Sequence, residues 1–189
     1  MFYVVRHGFT EWNIIRKVQG VTDKDLTDEG RRQAEKAREE IKDIPLDFII
    51  TSPLSRARET AEIMNRDHKV PVMVDDRLLE RNFGIYEGVS RSEMDYSLLW
   101  DFYNDVGEDV CEPNRIFFAR VWDFLRELSE KCPDKNVLIA THGGVSIAVE
   151  CYFREEIPHG KLSQAGLSIK NCQVKGYEPK TVERSRYGI

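Results

Sequence analysis

Phe2-Tyr3-Val4-Val5-Arg6-His7-Gly8 is the stretch that decides the fold. Four aromatic and β-branched residues in succession read as a buried strand, and the strand stops at Arg6-His7-Gly8. The same grammar returns twice. Phe48-Ile49-Ile50-Thr51 is a second strand and gives way to Ser52-Pro53-Leu54-Ser55-Arg56. Val137-Leu138-Ile139-Ala140 is another, followed by Thr141-His142-Gly143-Gly144. Each apolar run ends in polar, cationic or glycine-rich residues.

Helical patterns separate these strands. Thr27 can cap a helix whose first residues, Asp28 and Glu29, suit the positive end of the helix dipole. Ala34, Ala37, Ile41 and Ile44 follow at helical spacing, and Pro45 breaks the run. Ser52 reads as the cap of a second helix with Pro53 in its first turn and Ala57, Ala61 and Met64 as its inner stripe. Val70 to Val74 is a short strand. Residues 113–131 form a helix with Phe117, Val121, Phe124, Leu125 and Leu128 on one face, and a further helix runs from about Val145 to Phe153. Leu167-Ser168-Ile169 and Val174-Lys175-Gly176-Tyr177 read as late strands.

This alternation predicts an α/β fold, a three-layer sandwich whose largely parallel central sheet has helices on both faces. One domain over 1–178 is expected, with an insert at about 89–113 and a polar tail over 179–189. Ligands of such sheets bind beyond the carboxyl ends of the strands. Arg6-His7, Ser52 to Arg56 and His142-Gly143 all follow strand ends, so separate segments deliver charged groups to one sheet edge.

Composition narrows the chemistry. Net charge is −5 and the basic residues are spread along the chain, which disfavours nucleic acid and membrane surfaces as partners. The first residues lack a basic flank and a long apolar stretch, so no signal peptide is expected and the cytoplasm is the expected location. Cys111, Cys132, Cys151 and Cys172 are widely separated, without zinc-site spacing, and reduced thiols are expected. A homodimer is left open.

A phosphate monoester is a dianion that resists nucleophiles. Its transfer needs cations around the oxygens, a nucleophile in line and an acid for the leaving oxygen. Arg6 and Arg56 offer planar forks suited to phosphate, and Arg56 falls in the first turn of a helix, where backbone N–H groups also favour anions. Gly143 and Gly144 let the backbone approach closely as the next helix begins. A neutral His7, kept so by nearby arginines, could attack phosphorus.

Arg6-His7-Gly8-Phe9-Thr10-Glu11-Trp12-Asn13 resembles the signature of the histidine phosphatase superfamily, the phosphoglycerate-mutase-like family. The likeness continues in the family order through Gln19-Gly20, Asp25 to Gly30, Ser52 to Ala57, Leu79-Glu80, Glu87-Gly88 and Thr141 to Gly144. The resemblance implies that His7 becomes phosphorylated, that Arg6, Arg56 and His142 hold the phosphoryl oxygens, and that Glu80 is the proton donor. It implies that Asn13 touches the phosphoryl group, although Asn13 also reads as a turn cap, and that the Gly8 carbonyl orients the His7 ring. It implies neither metal nor cofactor. Thr10 and Arg81 stay open between site and scaffold. His68 and His159 lie outside every motif and read as loop residues.

The substrate is expected to be a small phosphorylated molecule chosen by residues 89–113. Tyr96, Trp100, Phe102 and Tyr103 could wall a pocket. The segment carries Glu93, Asp95, Asp101, Asp105, Glu108, Asp109 and Glu112 against Arg91 alone. Acids at the pocket would favour a phosphatase for a substrate with a neutral or cationic remainder over a phosphoglycerate mutase. Acids on a solvated face would favour neither. A non-catalytic binding module is disfavoured by the intact Arg6, His7, Arg56, Glu80 and His142 set.

Overall fold

The computed structural model describes residues 1–102, 107, 109–156 and 166–182. Strand β1 (Phe2–Arg6) is followed by the short helix α1 (Glu11–Ile14) and by α2 (Asp28–Ile41). Strand β2 (Phe48–Thr51), helix α3 (Ser55–Met64) and strand β3 (Val72–Val74) come next. After three single-turn 3-10 segments the chain continues through α4 (Asn114–Lys131), β4 (Val137–Thr141), α5 (Gly143–Arg154) and β5 (Val174–Tyr177).

The strands form one sheet in the order β3-β2-β4-β1-β5. β1, β2, β3 and β4 run parallel, and β5 pairs antiparallel with β1 at one edge. Successive strand residues face opposite sides, and the core divides accordingly. Val5, Ile49, Leu138 and Ala140 pack with Ala34, Ala37 and Ile41 of α2 and Ala61 and Met64 of α3. Phe2, Val4, Ile50, Val137 and Ile139 pack with Phe117, Val121, Trp122, Phe124 and Leu125 of α4 and Val145, Ala148 and Tyr152 of α5. The three-layer α/β sandwich is thus as the alternation of elements predicts.

Two local readings are corrected. α3 begins at Ser55 with Leu54 as its cap, and the Ser52 side chain does not cap it. The Ser52 hydroxyl lies 2.7 Å from His142 Nε2, a tertiary partner. Leu167-Ser168-Ile169 is not a strand. Buried Ile169 donates its N–H to the Ser146 hydroxyl oxygen at 3.0 Å, and its carbonyl accepts from Arg6 Nη1 at 3.3 Å, partners outside any strand ladder. Thr27 caps α2 as expected, accepting from Gly30 N–H at 3.1 Å. All four cysteines are free thiols. Among the described residues no helix is long and apolar enough to cross a membrane.

Candidate active site

Sheet register builds the floor of the site. Arg6 sits opposite Thr141 at the carboxyl ends of β1 and β4, and His7 N–H donates to the Thr141 carbonyl at 2.9 Å. His7 and His142, 135 positions apart in sequence, therefore leave the sheet side by side; their ring centroids are 5.2 Å apart. β2 flanks β4 on the other side, and Ser52 N–H donates to the Ala140 carbonyl at 3.1 Å. That register carries Ser52 to His142 and starts α3, whose first turn brings Arg56 Nε to His142 Nδ1.

The floor is buried. His7 is 3% exposed, His142 0% and Arg56 1%. Burial, then the cations of Arg56 and Arg6, hold the His7 pKa well below the ordinary imidazole range. Burial and Arg56 do the same to His142. Both rings are neutral at physiological pH. His7 Nδ1 lies 2.7 Å from the Gly8 carbonyl, which can only accept. Nδ1 therefore carries the proton, and Nε2 keeps its lone pair.

Arg56 is fixed by main-chain carbonyls. Its Nη2 donates to Gly20 O at 2.7 Å, its Nη1 to Thr22 O at 3.0 Å and its Nε to His142 Nδ1 at 3.3 Å. Burial lowers its pKa to about 10, which leaves it cationic. The loop supplying those carbonyls is held by Glu87, whose carboxylate accepts from Val21 N–H, Thr22 N–H, the Thr22 hydroxyl and Phe83 N–H. Gly20 has φ +58 and faces that carboxylate so closely that a Cβ would lie 2.0 Å from it. Because Arg56 Nε donates to His142 Nδ1, His142 Nε2 bears the proton and donates to Ser52 Oγ.

Glu80 forms the wall above this floor. It is 9% exposed, and its two carboxylate oxygens accept from Gly144 N–H at 2.9 Å and Arg81 N–H at 3.0 Å. The competing pairing of Glu80 with the Arg77 or Arg81 guanidinium does not occur. Arg77 is bound to Asp75 and Glu127, and Arg81 reaches the carbonyls of Glu112 and Leu99. A Cβ on Gly144 would lie 2.3 Å from Glu80 Oε1, so this approach to the α5 N-terminus requires glycine.

Beside Glu80 opens a cavity of about 220 Å³. Arg6, Glu80, Gly143 and Gly144 line it together with Arg91, Tyr96, Trp100, Ile147 and Ser168. Tyr96 and Trp100 thus form pocket wall as the sequence suggests. Phe102 does not; it packs in the core against Phe118. Tyr103, Asp105 and Glu108, like His159 and most of the 179–189 tail, lie outside the described residues.

The acids of the segment are placed differently from the pocket reading. Glu93, Asp95 and Asp109 are exposed, and Glu112 is bound to Arg120; none of the described acids lines the cavity. The segment's one base does. Arg91 stacks on Tyr96, with 4.5 Å from its guanidinium carbon to the ring centroid, and its buried Nε has no hydrogen-bond partner. Among the described residues, the charge that 89–113 presents to this cavity is positive.

Asn13 closes a capping box with Thr10, its Oδ1 accepting from Thr10 N–H at 3.1 Å and its own N–H donating to Thr10 Oγ1. Thr10 is committed to that box and to Gln19. Sequence reasoning left the anchoring of Arg56 by Gly20 and Thr22 unread, since peptide carbonyls carry no residue signature. Asn171, which donates to the His7 carbonyl at 2.8 Å, is likewise silent in sequence.

Comparison with known proteins gives a consistent result. The profile of the histidine phosphatase superfamily (branch 1) matches residues 2–184. A Cronobacter sakazakii protein named as probable phosphoglycerate mutase GpmB is 44% identical over 182 residues, covering 91% of this chain and 81% of its own. A Bacillus subtilis protein named as the uncharacterized phosphatase PhoE is 37% identical over 140 residues, 74% of this chain and 70% of its own. The solved structure of YhfR from Bacillus stearothermophilus superimposes with a TM-score of 0.82 at 28% identity, covering 92% of this chain and 88% of that one.

Proposed function

The chain belongs to the histidine phosphatase superfamily, an enzyme of that phosphatase type, and from that premise we propose that it is a metal-independent phosphomonoesterase working through a phosphohistidine at His7. One observation carries the reading. A buried, neutral imidazole with its proton fixed on Nδ1 stands at the carboxyl end of the sheet, under the charges of Arg56 and Arg6.

His7 Nε2 attacks phosphorus while the bond to the leaving oxygen breaks. Arg6, Arg56, His142, Gly143 and the N-terminus of α5 offset the charge of the transferring group, the role a metal plays in other phosphatases. Glu80 gives its proton to the leaving oxygen. The ring gains positive charge as the P–N bond forms, and the Gly8 carbonyl at Nδ1 favours that state. Water then attacks phosphorus, Glu80 takes the proton back, and His7 is released neutral. Asn13 would reach the phosphoryl group only by turning out of its capping box.

The cavity suits a compact phosphorylated metabolite, and Arg91 favours one carrying a second anionic group such as a carboxylate. The same observation keeps a second reading. A phosphoglycerate mutase would use the same phosphohistidine and return the phosphoryl group to another hydroxyl, as the name of the 44%-identical relative suggests. The described acids of 89–113, none of which lines the cavity, do not argue against it. A panel of phosphate monoesters, with and without carboxylates, separates the two after exhaustive chelation. Free phosphate as the product supports the hydrolase, an isomeric monoester the mutase, and activity lost to chelation and restored by a divalent ion sinks both.

A further inference from the structure

We infer that Arg120 is a positioning residue for the proton donor, gripping the main chain that aims Glu80 at the leaving oxygen. The inference rests on Glu80 being the acid of the proposed mechanism. Arg120 lies on α4, outside the cavity. Its Nη1 donates to the carbonyls of Arg77 at 2.8 Å and Leu79 at 2.7 Å, and its Nη2 to the carbonyl of Glu80 itself at 3.1 Å.

The guanidinium is in turn locked. Nε and Nη2 bind the two Glu112 oxygens at 2.8 and 2.9 Å, and the plane lies on the Phe117 ring with 4.8 Å to its centroid. Glu112 also accepts from Asn82 N–H at 3.0 Å. Carbonyls and amides of residues 77–82 thus converge on one ion pair.

This matters because nothing regular holds Glu80. One 3-10 turn closes with Leu79 N–H on the Asp76 carbonyl and the next opens from the Phe83 carbonyl, so residues 80–82 have neither helix nor ladder bonds. Among the described residues the carboxylate itself is caught by two N–H groups, one of them from its neighbour Arg81. In His7 and His142 the sheet fixes the main chain. In Glu80 a side chain does that work, and Arg120 is the cation that touches its carbonyl. A misplacement of about 1 Å in such a group can cost about 10²-fold in rate.

A merely structural staple between α4 and the 77–82 turn would affect every substrate alike. A positioning residue for an acid affects only substrates that need the acid. An alkyl phosphate needs its leaving oxygen protonated; p-nitrophenyl phosphate does not. The test compares kcat/KM for both substrates in Arg120→Lys, which keeps the charge but not the fork, in the Glu80→Gln background as well as wild type. The expected result is a loss of about 10- to 100-fold for the alkyl phosphate against less than about threefold for the aryl. In Glu80→Gln, adding Arg120→Lys should cost the alkyl phosphate less than about twofold more. Glu112→Gln, which loosens the anchor and leaves Arg120 in place, should show the same selectivity at about three- to tenfold, and it serves if Arg120→Lys fails to fold. Equal losses on both substrates, or an undiminished loss in the Glu80→Gln background, overturn the inference while Glu80 remains the acid. If Glu80→Gln alone shows no selectivity, the acid assignment falls and this inference with it.

Discussion

The floor and the wall of the site are held by different means. His7, His142 and Ser52 leave adjacent strands at matched register, so their spacing follows from the parallel ladder of β1, β4 and β2. Glu80 stands on irregular chain and Trp100 on a single 3-10 turn, tied down by the guanidinium groups of Arg120 and Arg81 and by the Glu112 carboxylate, while Arg91 stacks on Tyr96. A ladder constrains atoms through many cooperative bonds; a side-chain knot depends on a few. The floor therefore suits chemistry common to any phosphate ester, and the wall suits what differs between esters, the leaving group and the rest of the substrate. That division matches the general observation that one scaffold hosts many activities through its loops.

The comparison is broken most severely at the floor. His7→Asn removes the proposed nucleophile and should lower kcat for every phosphate ester by on the order of 10⁴–10⁶-fold, with the fold intact by circular dichroism. A variant retaining a tenth of wild-type activity would remove His7 from the mechanism. Glu80→Gln should strike the wall selectively, lowering kcat/KM for alkyl phosphates by about 10²–10⁴-fold. The burst of p-nitrophenol should survive it, although the slower release of phosphate from His7 would then limit turnover. A burst reduced as much as the alkyl rate would place the acid elsewhere.

Arg56→Lys keeps the charge but not the fork that meets Gly20, Thr22 and His142. A loss of about 10²–10³-fold on all substrates is expected, with vanadate inhibition weakened in parallel. Arg91→Gln sharpens the comparison from the wall. Substrates bearing a carboxylate should lose about 10- to 100-fold in kcat/KM, and p-nitrophenyl phosphate should change little. Equal losses would mean that Arg91 serves the phosphoryl group or the fold.

The smallest expected effect is on stability. His7 and His142 have folded-state pKa values well below the ordinary 6.5. Below pH 6.5 the unfolded chain takes up protons that the folded chain refuses, so stability is full above that pH and falls as pH drops beneath it. Each ring's slope starts at about half of 1.4 kcal/mol per pH unit at pH 6.5 and approaches about 1.4 near pH 5. Urea melts between pH 6.5 and 5 should show a shallower decline in His7→Asn than in wild type. An unchanged slope would show that His7 protonates in place.

The sheet and its floor were legible because local and global signals agree there. The apolar runs before His7 and His142 are long, unbroken and followed by glycine, so both strand and exit are readable from neighbouring residues. Legibility failed where a residue's partner is remote. Ser52 has the chemistry of a helix cap, but its hydroxyl meets His142, 90 positions away. Leu167-Ser168-Ile169 has the composition of a strand, but Ile169 is tied to Ser146 and Arg6 instead of a ladder. In residues 89–113 a count of charges left an acidic pocket and a solvated acidic face equally open, because a count cannot say which way side chains face. Arg91 turns inward because Tyr96 offers a π surface, while exposed Glu93 and Asp95 turn outward. Arg120 was invisible for the same reason: a lone arginine among Phe117, Val121 and Phe124 reads as the polar side of a helix.

The most direct test of the account is rapid-quench trapping of the enzyme during turnover of a ³²P-labelled substrate. The account predicts label on the protein that is stable in base, labile in acid, approaches one phosphate per chain, maps to the peptide containing His7 and is absent from His7→Asn. Label that is acid-stable, or that persists in His7→Asn, or no label within a burst of released alcohol, would contradict it.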